Sequence, residues 1–115
     1  MALGMNQQTY GLNGGGGAPA SYPGTPTNTA TAGGTTTFTS ATGSVQVFTG
    51  VLTQIAVLPS ATGSGKLFTI KNTSTGVVTV QRASADTIDG AVQVSLAQNQ
   101  SVDVIDSAAG KWVIV

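Results

Sequence analysis

The sequence predicts an all-β protein: a small antiparallel β-sandwich or jelly-roll-like domain with an extended, irregular N-terminal arm. Three observations support this prediction. From residue 45 onward, apolar and polar residues alternate with the period of half-buried strands. No segment shows the spacing of an amphipathic helix. Every valine and every isoleucine lies after residue 44, which predicts an arm over 1–44 and a compact β-domain over 45–115.

The predicted arm has no charged side chain and consists mainly of Gly, Thr, Ala, Ser, Asn and Pro. Such a segment has too little apolar surface to offset its own conformational entropy, so we expect it to be extended. Larger side chains are spaced along it and are candidate anchors for docking onto a partner surface, with an idle spacer as the alternative. These candidates are Leu3, Met5, Tyr10, Leu12, Tyr22 and Phe38.

Seven short strands are predicted in the second segment, each from its alternation and its β-branched residues. They span 45–49, 51–58, 66–72, 76–82, 91–97, 100–106 and 110–115. The intervening ATGSG, NTSTG, SADTIDG, AQNQ and DSAAG are rich in turn residues. Short strands at such regular spacing are typical of a sandwich, jelly roll or small barrel with mostly antiparallel pairing.

The alternation within these strands also predicts which side chains are buried. Phe68 and Ile70 share one face of their strand, and Trp112 and Ile114 share one face of the last strand, so these four are candidates for the core or a subunit interface. The segments VLTQIAVL and KWVIV are apolar on both faces, which suggests that another subunit covers the second face.

Composition excludes several function classes. The chain has no Cys or His, its four acids are all Asp, and its formal net charge is zero. Without the usual bases, nucleophiles and metal ligands, we expect no enzyme, no metal and no cofactor. We expect no nucleic-acid partner because the charge is balanced, and no membrane span because the apolar runs are short. A charged fraction of 7% is unusually low and favours a protein that works inside an assembly.

The stretch SATGSGKLFT partly matches a phosphate-binding loop, which requires G-x-x-x-x-G-K-[ST] between a strand and a helix. Gly65 and Lys66 fit this pattern, but Ser60 and Leu67 stand where a glycine and a hydroxyl residue are needed. A predicted strand follows instead of a helix. The sequence therefore predicts a turn between two strands at this point.

Two further features have a structural and a functional interpretation. Asp86 and Asp89 precede Gly90 and could hold calcium or act as paired carboxylates, but Asp-Gly is far more typical of a turn. Trp112 could form a sugar-binding platform, yet a tryptophan in a β-rich segment is first expected to pack in a core or interface.

The second segment resembles a β-module that recurs in surface proteins of tailed-bacteriophage virions. The resemblance covers residues 65–115 and rests on GKLFTIKNTSTGVVTVQ, then ADTIDGA, then SLAQNQSVDVIDSAAGKWVIV, in that order. Gly65-Lys66 matches the start of a strand in that module. The sequence departs from it at Asp106 to Trp112, where the module has D-G-x-x-W and here the glycine is Gly110.

The resemblance implies a virion protein that forms trimers. A short chain with one β-domain and an uncharged arm is expected to be a capsid decoration, or cement, protein on the outer capsid surface, with the major capsid protein and its own copies as partners. The arms would spread over neighbouring capsid subunits and stabilise the shell. The alternative is a head-fibre or tail-fibre tip that binds a host receptor or glycan.

Overall fold

The structure, a computed structural model, describes residues 25–115. This part of the chain consists of strands and turns and contains no helix that is long and apolar enough to cross a bilayer. Its strands are β1 (Thr27–Ala30), β2 (Thr35–Thr37), β3 (Val45–Thr49), β4 (Gln54–Val57), β5 (Leu67–Asn72), β6 (Val78–Gln81), β7 (Thr87–Ile88), β8 (Gln93–Leu96), β9 (Ser101–Ala108) and β10 (Lys111–Ile114).

The strands form two sheets, one with the order β1-β3-β5-β9-β10-β7 and one with the order β2-β4-β6-β8. In the first half of the domain the chain passes from the first sheet to the second three times, through β1–β2, β3–β4 and β5–β6. We call these three passages coils 1, 2 and 3. Each coil lies on the next with parallel pairing in both sheets, so the first half of the domain is stacked like a solenoid.

The second half closes the stack with antiparallel strands. Strand β9 pairs with β5 and with β10, while β8 pairs with β6 in the other sheet. The short β7 pairs in parallel with β10 and ends the larger sheet. Of the turns predicted from the sequence, the one at DSAAG joins two neighbouring antiparallel strands, whereas ATGSG, NTSTG and AQNQ connect one sheet with the other.

The core lies between the two sheets and is built from residues of both. Phe68 packs between Phe38 and Trp112, with ring-centroid distances of 5.1 Å and 5.8 Å. The indole N–H of Trp112 donates to the carbonyl oxygen of Pro59 at 3.1 Å, so its polar edge is satisfied inside the fold. The other large buried apolar side chains are Phe48, Leu58, Ile70, Val78, Val80, Ile88 and Val104.

Polar side chains inside the stack hold coils 1 and 2 together. The amide oxygen of Gln54 accepts hydrogen bonds from the N–H groups of Ala32 and Gly34, and its amide nitrogen donates to Thr36 Oγ1. In the turn between β3 and β4, Leu52 N donates a hydrogen bond to the hydroxyl of Thr31. These bonds satisfy backbone groups at the corner where coil 1 changes sheet, which would otherwise be buried without partners.

The all-β class and the arrangement in two sheets are confirmed, whereas the antiparallel jelly-roll detail is not. Five of the eight strand pairings are parallel. Alternation reports which face of a strand is buried but carries no information on strand direction.

The predicted boundary at residue 44 also differs from the structure. Residues 27–37 of the predicted arm form β1 and β2, which pair with β3 and β4 as coil 1 of the same domain. An extended arm can therefore include at most the residues before this coil. Residues 1–24 lie outside the described part of the chain.

Candidate interaction surfaces

Three of the four acidic side chains, those of Asp86, Asp89 and Asp106, accept hydrogen bonds from backbone N–H groups. Asp86 Oδ2 accepts a bond from Ala61 N at 2.8 Å, and Asp89 Oδ1 accepts one from Ile114 N at 3.1 Å. Within residues 25–115, no three acidic side chains come together as potential metal ligands. These contacts give the carboxylates a structural use and bring none of them into a catalytic or metal-binding arrangement.

The loop that partly matches a phosphate-binding motif does cradle an anion, but that anion is the chain's own Asp106. One oxygen of this buried carboxylate accepts bonds from Thr62 N at 3.0 Å and Gly63 N at 2.7 Å. The other accepts a 2.7 Å bond from the hydroxyl of Ser64 and one from that of Thr62 at 3.3 Å. The N–H groups that could meet a phosphate are therefore already occupied.

The environment of Asp106 lowers its pKa. Burial raises the pKa of the carboxyl, but the N–H of Thr62, the hydroxyl of Ser64 and the N–H of Gly63 outweigh that effect and bring the pKa to about 2. The group is thus ionised at neutral pH and ties the loop after β4 to strand β9. The loop therefore connects the two sheets through this carboxylate, and its N–H groups are not available to bind a nucleotide phosphate.

The Asp89-Gly90 pair forms a tight turn, as its sequence predicts. Both residues have positive φ angles, of 50° and 81°. Ile88 and Ala91 exchange backbone hydrogen bonds of 2.8 Å and 2.9 Å across them, which defines a two-residue hairpin. Because Asp86 bonds elsewhere, to Ala61, the two carboxylates do not form a shared calcium or catalytic site.

A shallow depression lies beside β6 and β8. It is lined by Gln81, Arg82, Ser84, Val92 and Gln93 and has a volume of about 250 Å³. That volume lies below the roughly 300–1,000 Å³ of typical ligand pockets, and Arg82 is its single charged group. The depression therefore gives little support to a small-molecule site.

The surface offers strand edges and apolar corners in place of a cleft. Strands β1 and β2 are the first strands of their sheets, and within residues 25–115 each has a partner on one side only, so both sheets end in an open edge at coil 1 in this part of the chain. The outward residues of these strands are threonines, Asn28 and Ala30, without the charged or proline residues that commonly block an edge strand. We call this surface the open end; open strand edges can accept a further strand.

Charge is distributed unevenly along the stack. Coils 1 and 2 contain no charged residue, and all eight charges of the chain lie between Lys66 and Lys111, in coil 3 and the antiparallel half. At the corner of coils 2 and 3, Val51, Leu52 and Val77 are exposed by 71%, 49% and 43%. The open end and its corner are thus neutral and partly apolar, while the opposite end carries the charges and also exposes Val92, Ile114 and Val115.

The residues predicted as docking anchors fall into two groups. Leu3, Met5, Tyr10, Leu12 and Tyr22 lie outside the described residues. Phe38, in contrast, is 2% exposed and packs on Phe68, so its prediction as a docking residue is wrong. Phe38 directly follows β2, and its side chain points into the core, where it packs coil 1 against the rest of the domain.

Of the four residues predicted for the core or an interface, Phe68, Ile70 and Trp112 are buried within the domain, and Ile114 is 36% exposed. A buried Trp112 cannot present its ring to a sugar, so the platform interpretation is wrong. Sequence reasoning missed coil 1 and the exposed corner at Val51 and Leu52. The one available signal for coil 1 was its run of β-branched threonines, TNTA and TTTF.

Comparison with known proteins found no match: no family model, no curated protein and no solved structure is similar to this chain.

Proposed function

We propose that this protein is a capsid decoration, or cement, protein of a tailed bacteriophage, which binds the outer surface of the assembled shell as a trimer. The observation that carries the proposal is the neutral open end. Within residues 25–115, two sheet edges without a further strand lie there, next to an exposed apolar corner, and β1 is the first strand of the described chain. The resemblance of residues 65–115 to virion surface modules supports the same role.

The proposed contact uses backbone groups more than charged pairs. The free N–H and C=O groups of β1 and β2 can pair with an extended segment of the major capsid protein, as in strand addition. The side chains around them bring no charges that would have to be desolvated. The charged half of the domain then points away from the shell, towards solvent.

Stabilisation of the shell follows from selective binding. A ligand that binds the assembled capsid, but not free subunits, shifts the equilibrium towards the assembled state by mass action. Residues 1–24 add contact area in this proposal, at the entropic cost of ordering them on the capsid surface. The shell should consequently withstand higher temperature when decorated.

The alternative role, a fibre tip that binds a host glycan or receptor, has less support. Such sites commonly use exposed aromatic rings, and the four aromatic side chains within residues 25–115 are all buried. The depression lined by Arg82 and its neighbours is shallow and small for a ligand site. Binding of the protein to host cells, in the test below, would therefore argue against the decoration role.

The test is co-sedimentation of the purified protein with undecorated capsids of its virus. We expect saturable binding in multiples of three and a shell that withstands higher temperature. Two variants locate the contact: Thr35 and Ser95 lie in the same outward row of the smaller sheet, at its two opposite edges. Thr35→Lys should weaken capsid binding about tenfold or more, and Ser95→Lys should not.

Binding to host cells without binding to shells would transfer the protein to the adhesion class. Equal effects of the two lysine variants would show that the open end does not face the capsid. Circular dichroism of both variants serves as a control, because each position is exposed and should accept lysine without unfolding.

A further inference from the structure

The two sheets differ in what they present outward. On the smaller sheet the outward rows are Thr35, Ile55, Thr79, Ser95 and Thr37, Val57, Gln81, Gln93, which are mainly hydroxyl and amide side chains. On the larger sheet the outward positions across β3, β5, β9 and β10 are more apolar. Polar Thr49, Ser101, Ser107 and Lys111 occupy outward positions at the ends of these strands. The outward positions between them are Val45, Val47, Leu67, Thr69, Lys71, Asp103, Ile105 and Val113, and we call these eight residues the outer apolar face.

The apolar residues of this face are contiguous. Leu67 is paired with Ile105, which is paired in turn with Val113, so three apolar side chains form one row across three strands. Val45 and Val47 add a second patch on the adjacent β3. All five are half-buried by their neighbours and none is covered by another part of residues 25–115. A group of contiguous apolar side chains on the outer side of a sheet is typical of an interaction surface.

The charges on the outer apolar face are one of each sign. Lys71 and Asp103 lie diagonally on the neighbouring strands β5 and β9, because Lys71 is paired with Ser101 and Asp103 with Thr69. The ammonium of Lys71 donates to the carbonyl oxygen of Asn99 at 2.8 Å, which leaves two of its N–H groups. Among residues 25–115 the hydrogen bonds give the Asp103 carboxylate no partner. The face therefore carries a cation and an anion that can each be matched by an identical face.

We propose that the outer apolar face binds a second copy of this chain. Lys71 of one copy meets Asp103 of the other, and the apolar row through Ile105 is buried between them. Charge complementarity selects a copy of the same chain over an acidic or basic partner, because the face is complementary to itself. A closed ring of three satisfies the same contacts, since Lys71 of each copy then meets Asp103 of the next.

This inference rests on the self-association that the proposed function includes, but it does not depend on capsid binding. It also assigns different surfaces to the two contacts: the outer apolar face to other copies, and the open end to the shell. The test therefore uses the free, full-length protein without capsids, so that failure of the decoration role leaves it intact.

The experiment measures oligomeric state by native mass spectrometry and light scattering over a dilution series. Ile105→Lys places a charge in the apolar row and should weaken association at least about tenfold, since the charge would have to be buried at the contact. Ile55→Lys is the matched control, because Ile55 is a half-buried isoleucine in the outward row of the other sheet. It should leave the oligomer unchanged, and both variants should keep the β-sheet circular dichroism of the wild type.

Charge reversal tests the pairing itself. Asp103→Lys alone and Lys71→Asp alone should each weaken association, because like charges then meet across the contact. The double variant restores opposite charges and should recover most of the wild-type association. A monomeric wild type, equal behaviour of the two isoleucine variants, or a double variant no stronger than the single ones would each overturn the proposal.

Discussion

At the scale of single residues, the buried carboxylate of Asp106 makes the stability of the fold depend on pH. Its pKa is lowered from 3.8 to about 2 in the folded protein, so its contribution to stability is complete above about pH 4 and is lost as the pH falls through 2. That contribution is about 2 kcal/mol at neutral pH. Urea unfolding between pH 2 and 6 should show this acid limb in the wild type.

Asp106→Asn should remove most of the acid limb and lower stability at pH 7 by about 2–4 kcal/mol, because charge-assisted bonds to Thr62, Gly63 and Ser64 are lost. Ser64→Ala is the graded comparison: it removes one hydroxyl donor from the carboxylate, so the limb should remain but move to higher pH. An unchanged limb in Asp106→Asn would show that other groups cause it.

Phe38 shows where reading residues one by one fails. The sequence places it in an uncharged, glycine-rich segment, so its ring looks like an isolated anchor. The structure buries it against Phe68, and Phe38→Ala should therefore cost about 3–5 kcal/mol of folding stability. Thermal unfolding measures this loss. A variant as stable as the wild type would mean that coil 1 does not pack on the core.

At the scale of elements, the stacking of coils depends on close approach of backbones. A Cβ atom on Gly76, in the turn of coil 3, would lie 2.3 Å from the carbonyl oxygen of Leu52 in coil 2. That atom belongs to the backbone and cannot rotate away, so Gly76→Ala must separate the two turns. We expect a loss of about 1–3 kcal/mol or more in chemical denaturation.

Gly34→Ala is the matched control for Gly76→Ala, because a Cβ at Gly34 meets nothing within 4 Å and its backbone has no positive φ. This substitution should be neutral or slightly stabilising. A similar loss in both variants would point to a general intolerance of the turns and away from the contact between coils.

The elements also show what could be predicted from the sequence and why the rest could not. Predicted strands 45–49 and 66–72 agree closely with β3 and β5, because alternation there is strict. Strand 51–58 is shorter in the structure, since Val51 and Leu52 belong to the corner. The parallel stacking was not predictable from the sequence. The direction of a strand relative to its neighbour depends on which sheet the preceding turn leads to, and the composition of a turn does not encode which sheet that is. The open end followed from the stacking and was missed with it.

At the scale of the whole molecule, the domain and the N-terminal segment can be separated experimentally. The described strands and core begin at Thr27, so deletion of residues 1–24 should leave the melting temperature almost unchanged. Deletion of residues 1–40 would also remove β1, β2 and Phe38. It would expose the edges of β3 and β4 and is expected to cause aggregation.

The deletion of residues 1–24 tests what the N-terminal segment does. If the segment docks on the shell, the protein without residues 1–24 keeps its fold and its self-association but binds capsids at least about tenfold more weakly, because the contacts of the segment are gone. Co-sedimentation with capsids measures the binding, and calorimetry on the same sample measures the fold. Full capsid occupancy by the shorter protein would limit the contact to the open end. Loss of both fold and binding would instead show that residues 1–24 belong to the β-domain and extend the stack beyond coil 1.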